Sequence, residues 1–397
     1  VSTRSIPAQR YGQRIERAQS MLPAEGASAL LIGVGADLQW LTGYAAPALE
    51  RLTMLVVPAE GGSTLVMPRL ELPSAQECSA ARAGLIELVS WEETENPFEL
   101  VARLLQERKS RPEVQIGALG GAWGHLGGLL VSDRLWAAFV LHLQAAIPDA
   151  AFGLASIILG ELRAVKDAEE IELLRRAAHA ADRVIAGIAG GRLIGRKEAD
   201  MADEIRRRLV GEGHDVAGFG IVASGPNSAS PHHESGTREV CAGEPIVLDI
   251  GGQLEGYTSD ITRTVWVTGE HNQAPDDDFR RLYDVLQRAQ ARATAAVAPG
   301  VACEKIDATA RRIIDKAGFG PNFIHRTGHG IGLDVHEDPY LVTGNDDPLQ
   351  VGNAFSIEPG IYLDGRYGAR IEDIVVCGTE GPDVLNQAPR DLLVVPG

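Results

Sequence analysis

The chain has 397 residues, 45% of them hydrophobic and 23% charged, a composition that suits a soluble globular protein of two or three domains. Its formal net charge of −17 argues against nucleic acid or an anionic membrane as the main partner. No apolar run reaches the roughly 18 residues that a spanning helix needs, so no membrane segment is expected.

Residues 1–17 are polar and mixed, unlike a signal peptide. Cys78, Cys241, Cys303 and Cys377 are scattered without a C-x-x-C, so reduced thiols and a cytoplasmic location are expected. Helical spacing marks residues 11–23. Short apolar runs at 29–34, 53–58, 63–67 and 85–91 predict strands. A helix is expected over 96–108, where Asn96 can cap and Pro97 suits the first turn. A strand over 114–119 and a helix over 131–146 complete an α/β N-terminal domain. The glycine-rich stretch 117–128 lacks the spacing of a dinucleotide-binding turn and reads as a loop.

A boundary near Gly160 divides the chain into domains 1–160 and 161–397. Asp167 and Glu170 have capping-box spacing, and Ile171, Leu174, Ala178 and Ala181 form an apolar stripe behind them. Further helices are expected over 197–212, 277–297 and 304–317, the last two stopped by Pro299-Gly300 and Gly318. Two helix pairs beside strand-rich stretches fit a pseudo-symmetric α+β domain.

The segment 244–252, Glu-Pro-Ile-Val-Leu-Asp-Ile-Gly-Gly, is an apolar strand interrupted by Asp249. After a turn at Gly256, residues 259–267 form a second, β-branched strand that contains Asp260. Paired strands bring side chains within about 5 Å, close enough for two ligands of one metal site. The alternative is that each Asp ends a turn, which fits poorly for Asp249 behind Ile-Val-Leu.

The densest chemistry lies at 325–372. His325-Arg326-Thr327-Gly328-His329-Gly330-Ile331-Gly332 leads to His336, and Ile357-Glu358-Pro359-Gly360 and Arg370-Ile371-Glu372-Asp373 follow. Each glycine costs about 1 kcal/mol against alanine inside a helix, so loop and strand are expected, not a zinc-binding helix. Glu358 and Glu372 each follow an isoleucine and read as strand positions. A single histidine is more often structural than a ligand. Six of the ten histidines lie between His232 and His336, which weakens that reading for the group. The ligand candidates are Asp249, Asp260, His329, Glu358 and Glu372. This oxygen-rich set suits Mn²⁺, Co²⁺ or Fe²⁺ better than a structural zinc site, though catalytic Zn²⁺ stays open. Four carboxylates exceed the charge of one divalent ion; two ions roughly 3.5–4 Å apart, bridged by carboxylates and a hydroxide, would balance them.

The order and spacing of these residues resemble the dinuclear metallopeptidases of the pita-bread fold, which include methionine aminopeptidase, aminopeptidase P and prolidase, and the metal-free creatinase. The segments around Ser224 to His232 and His329 to His336 resemble the Xaa-Pro branch. The resemblance covers roughly residue 161 onward. The first 160 residues match the creatinase/prolidase N-terminal domain only in layout. It implies an α/β N-terminal domain joined to an α+β pita-bread domain, two divalent metal ions with Mn²⁺ foremost, a homodimer, and proline-containing peptides as substrates. Glu358 is then the general base and proton shuttle. His232, His325 and His336 are the candidate donors to the oxyanion and the leaving proline nitrogen. Arg370, two residues before Glu372, would share its strand face and orient a ligand; its alternative is an exposed strand charge.

A dipeptidase would need a cap on its pocket. Asp37 and Arg51, near Trp40, Tyr44 and Glu50, could hold the two substrate termini; their plain reading is as solvated loop charges. The other readings are aminopeptidase P, a creatinase-like hydrolase, and a non-catalytic binding protein. Ligand residues at all five positions speak against the last two.

Overall fold

The structure, a computed structural model, describes residues 6–109, 127–271 and 273–396. The expected strand at 114–119 and most of the glycine-rich loop lie outside them. The chain divides into two compact units, Val1–Arg163 and Ala164–Gly397.

The first unit contains α1 (Ala8–Met21), β1 (Ala27–Gly33), α2 (Ala36–Thr42), β2 (Met54–Pro58), β3 (Ser63–Pro68), α3 (Leu72–Gln76), α4 (Ser79–Arg82), β4 (Ile86–Trp91), α5 (Pro97–Lys109), β5 (Gly128–Val131), α6 (Ala137–Ala146), β6 (Ala151–Leu154) and α7 (Ser156–Ala164). Its mixed sheet has the order β4-β3-β2-β1-β5-β6. Strands β2 and β3 are buried along their whole length, as expected for strands covered on both faces. Asn96 accepts from the backbone N–H of Phe98, capping α5. The helix expected over 131–146 begins only at Ala137. Val131 belongs to β5, where it pairs with Leu31 and Leu154. A short apolar run has no length to separate helix from strand, and the sheet decides.

The second unit opens with α8 (Ala168–Ala189) and α9 (Glu198–Gly211), followed by β7 (Val216–Ser224), β8 (Glu244–Leu254) and β9 (Tyr257–Val267). The pattern then repeats. Helices α10 (Asp277–Ala295) and α11 (Cys303–Lys316) precede β10 (Gly328–Gly330), β11 (Glu337–Leu341), β12 (Ala354–Ile357), β13 (Gly360–Leu363), β14 (Tyr367–Arg370), β15 (Asp373–Cys377), β16 (Pro382–Val384) and β17 (Leu393–Val395). Asp167 and Glu170 form a reciprocal capping box at the start of α8.

Each helix pair covers one sheet. Val184 and Ile188 of α8 and Ile205 and Leu209 of α9 pack on Ile246, Leu248 and Ile250 of β8 and on Ile261 and Val265 of β9. Leu282 and Leu286 of α10 and Ile306 and Ile314 of α11 pack on Phe355, Ile357 and Val375. Because strand side chains alternate, Asp249, Asp260 and Thr262 must point away from the first helix pair. All eleven residues of β9 are buried, since its other face meets the second half. Backbone N–H of Glu372 donates to Thr262 O there, at 3.1 Å. The four cysteines are free thiols. Among the described residues no helix is long and apolar enough to cross a membrane.

Candidate metal centre and active site

Strands β8 and β9 form a hairpin in which Asp249 pairs with Thr262 and Gly251 pairs with Asp260. The two aspartates are therefore diagonal neighbours on one face. They are not directly opposed, so their separation exceeds that of a facing pair.

Glu358 and Glu372 are not in strands. Ladder β12–β15 ends at Ile357 with Asp373, and ladder β13–β14 begins at Gly360 with Arg370. The two ladders share one register, so carrying either across the gap sets Glu358 opposite Glu372. Pro359, which has no N–H to donate, lies in this break. The apolar flanks read as continuous strand. The proline removes one donor, though its carbonyl still accepts from Ile371 N–H at 3.5 Å. The backbone N–H groups of Glu358 and Glu372 bond Thr327 O and Thr262 O, while both carboxylates, opposite each other on one face, line the cavity.

His329 occupies β10 between two glycines. A Cβ at position 328 would meet Ser356 O at 1.9 Å, and one at 330 would meet Asp338 O at 2.1 Å. Only glycine permits neighbouring strands this close. The His329 Nδ1 donates to Gly330 O at 3.0 Å, which points Nε2 toward Glu358 Oε1 at 3.2 Å and Asp260 Oδ2 at 3.7 Å.

These side chains line one cavity of about 540 Å³, together with His232, His325, His336, Arg370, Phe219, Ile221 and Arg326. Ligand atoms of Asp260, His329 and Glu372 all lie within 4.8 Å of one another, and all three residues are buried. Asp260 Oδ1 is buried with no hydrogen-bond partner. Burial, then the charges of Glu372, Asp249 and Glu358, pushes the Asp260 carboxyl well above the usual range. Glu372 is raised well above its usual range by burial and by Glu358 and Asp249. Such a set is unfavourable as it stands, because like charges and an orphaned oxygen share a desolvated space. Divalent cations would relieve both, so the residues fit the metal.

Arg370 is buried. Its Nε donates to Thr262 Oγ1 at 3.0 Å, its Nη1 to Tyr362 OH at 3.0 Å, and its Nη2 to Asp249. Thr262 Oγ1 passes a hydrogen bond on to Glu372 Oε2 at 2.7 Å. One guanidinium thus orients two of the carboxylates. Tyr362 was not singled out from the sequence. Its hydroxyl lies 2.9 Å from His325 Nε2, while His325 Nδ1 is 2.7 Å from Arg326 O. The carbonyl requires a proton on Nδ1, so Nε2 of neutral His325 accepts from Tyr362. Burial lowers the His325 pKa, favouring that neutral form. His336 is lowered too, by partial burial and then by the His329 charge. It packs edge-on against His329 with ring centroids 4.2 Å apart.

Asp37 and Arg51 are engaged within the first unit. Arg163 Nη1 donates to Asp37 at 2.6 Å, and Arg51 binds Glu93 at 2.7 Å and Glu50 at 2.6 Å.

Residues 172–379 match metallopeptidase family M24, and residues 14–165 match the creatinase/prolidase N-terminal domain. The chain belongs to metallopeptidase family M24. A probable dipeptidase PepE of Mycobacterium tuberculosis is 43% identical over 397 residues, all of both chains. An Xaa-Pro dipeptidase of Lactobacillus helveticus is 32% identical, with 90% of this chain and 92% of that one covered. The crystal structure of dipeptidase PepE from Mycobacterium ulcerans superposes with a TM-score of 0.89 at 42% identity, covering 99% of this chain and 100% of that one. This M24 peptidase therefore carries a creatinase/prolidase N-terminal domain ahead of its M24 domain.

Proposed function

We propose that this M24 peptidase is an Xaa-Pro dipeptidase that uses two divalent metal ions, Mn²⁺ foremost, held by Asp249, Asp260, His329, Glu358 and Glu372. The observation that carries the reading is the buried, mutually repelling carboxylate set around His329, with Asp260 Oδ1 left unpartnered. The dipeptidase preference rests on full-length relatives that bear that name.

Ions held by these residues would supply Lewis acidity, polarising the scissile carbonyl and lowering the pKa of a bound water. The protein does the rest. Glu358 accepts the proton of the attacking water and passes it to the proline nitrogen, which must leave as a secondary amine. His336, neutral at pH 7, offers an N–H to the developing oxyanion, and His232 offers another from the same cavity wall. His325 has both ring nitrogens occupied. Its part is to hold Tyr362, and through it Arg370, in place. No step is assigned to Asp37 or Arg51, which pair with Arg163 and with Glu93 and Glu50.

The test is a matched pair of substrates, an Xaa-Pro dipeptide and an Xaa-Pro-Xaa tripeptide, each with Mn²⁺ and with chelator. Cleavage of the dipeptide alone, abolished by chelator, is expected. Cleavage of the tripeptide would make the protein an aminopeptidase P. Failure to cleave either would overturn the proposal.

A further inference from the structure

The second helix of each pair carries one fully buried carboxylate, and each grips the same kind of partner. Glu198 opens α9 and is 0% exposed. Its Oε1 accepts from both the N–H and the Oγ of Ser224, each at 2.7 Å. Its Oε2 accepts from His233 Nε2 at 2.8 Å and from Asn227 Nδ2 at 3.1 Å. Asp307, in α11, is also 0% exposed. It accepts from the N–H of Thr327 at 3.1 Å and from its Oγ1 at 2.8 Å. Thr343 and Arg311 complete its shell, and Arg311 Nη2 donates to His325 O at 2.9 Å.

The parallel is specific. In each half an acid on the second helix holds the backbone and hydroxyl of one Ser or Thr, and the gripped segment delivers a histidine to the cavity. Glu198 holds the segment that carries His232; Asp307 holds the one that carries His325. An apolar side chain here would leave the buried N–H groups of Ser224 and Thr327 without their acceptors, so the carboxylates do more than fill space. What a fully satisfied carboxylate adds is direction, fixing several donors at once. Burial alone would raise both acids, but their donors outweigh it and hold both below the ordinary carboxyl range, so each stays ionised as an acceptor.

We propose that Glu198 and Asp307 are positioning residues, one per half, that fix His232 and His325 at the cavity wall. This rests on the reaction proposed above. The test pairs each acid with its histidine. Glu198→Gln should lower kcat/KM about 10- to 100-fold, mostly in kcat, with metal content unchanged. Made in the His232→Ala background, it should cost no more than about twofold, because the histidine it acts through is gone. Asp307→Asn and His325→Ala should behave likewise. Ser224→Ala and Thr327→Val, which remove only the gripped hydroxyls, give the same comparison if the acid variants do not fold. Equal cost with and without the histidine would mean a merely structural role and overturn the proposal. So would a loss below about twofold in the otherwise wild-type protein.

A second readout needs no activity. In ¹⁵N-histidine-labelled protein, the ring resonances of His232 should shift and broaden in Glu198→Gln or Ser224→Ala while those of His142 stay in place. Unchanged His232 signals would also overturn the inference. An inactive wild type would instead count against the proposed reaction, and the resonances would still decide the positioning.

Discussion

Asp260 shows how much one side chain can reveal. It is buried, its Oδ1 has no partner, and its pKa is driven up by burial and by neighbouring carboxylates. Asp260→Asn should therefore leave the fold intact, and remove most metal and at least about 100-fold of the activity. Metal analysis and dipeptide assay of one preparation check this; full activity with normal metal content would sink the ligand assignment. The proposed ligand residues stand out in the sequence because carboxylates and histidines among apolar and glycine residues have few other reasons to be there. Glu198, Asp307 and Tyr362 were not. An acid at a helix start or on a charged face looks ordinary until the loop that folds over it is seen. Arg370 was read only as a strand-face neighbour of Glu372, whereas it also binds Asp249 from the other half.

The elements carry the site through spacing and close approach. Glycines 328 and 330 allow β10 to lie against its neighbours with His329 between them. Gly330→Ala would press a methyl group onto Asp338 O and should cost about 3 kcal/mol, read as a lower denaturant midpoint. Gly211→Ala, at the end of α9 with nothing near the added methyl, should be neutral or slightly stabilising. Equal effects would refute the close-approach argument. The helix pairs, the β8–β9 hairpin and the capping box could be read from periodicity and turn chemistry. That Glu358 and Glu372 stand opposite each other could not, because alternation predicts a strand but not which distant residue it pairs with. The strand at Val131 was hidden for a related reason, since sheet membership is decided by residues far away in sequence.

At the scale of the molecule, burying a repelling carboxylate set is tolerable only if something offsets it. Chelation should therefore lower the melting temperature of the second unit, and added Mn²⁺ should raise it in proportion to the logarithm of its concentration above Kd. A calorimetric scan with and without chelator reads this directly, and identical transitions would contradict a metal held by the native state. The acidic net charge, by contrast, speaks to solubility and partners and carries no information about this site.

The proposed ligands come two from the first half and three from the second, and the halves meet along β9, where Thr264 Oγ1 binds both the carbonyl and the N–H of Arg370. That seam works like a calliper. With ions held as proposed, its setting, together with the donors themselves, would fix how far apart the two groups of ligands stand, and so which ionic radius suits them. Substitutions at residues such as Thr264, outside the proposed ligand set, would then shift metal preference while keeping every ligand.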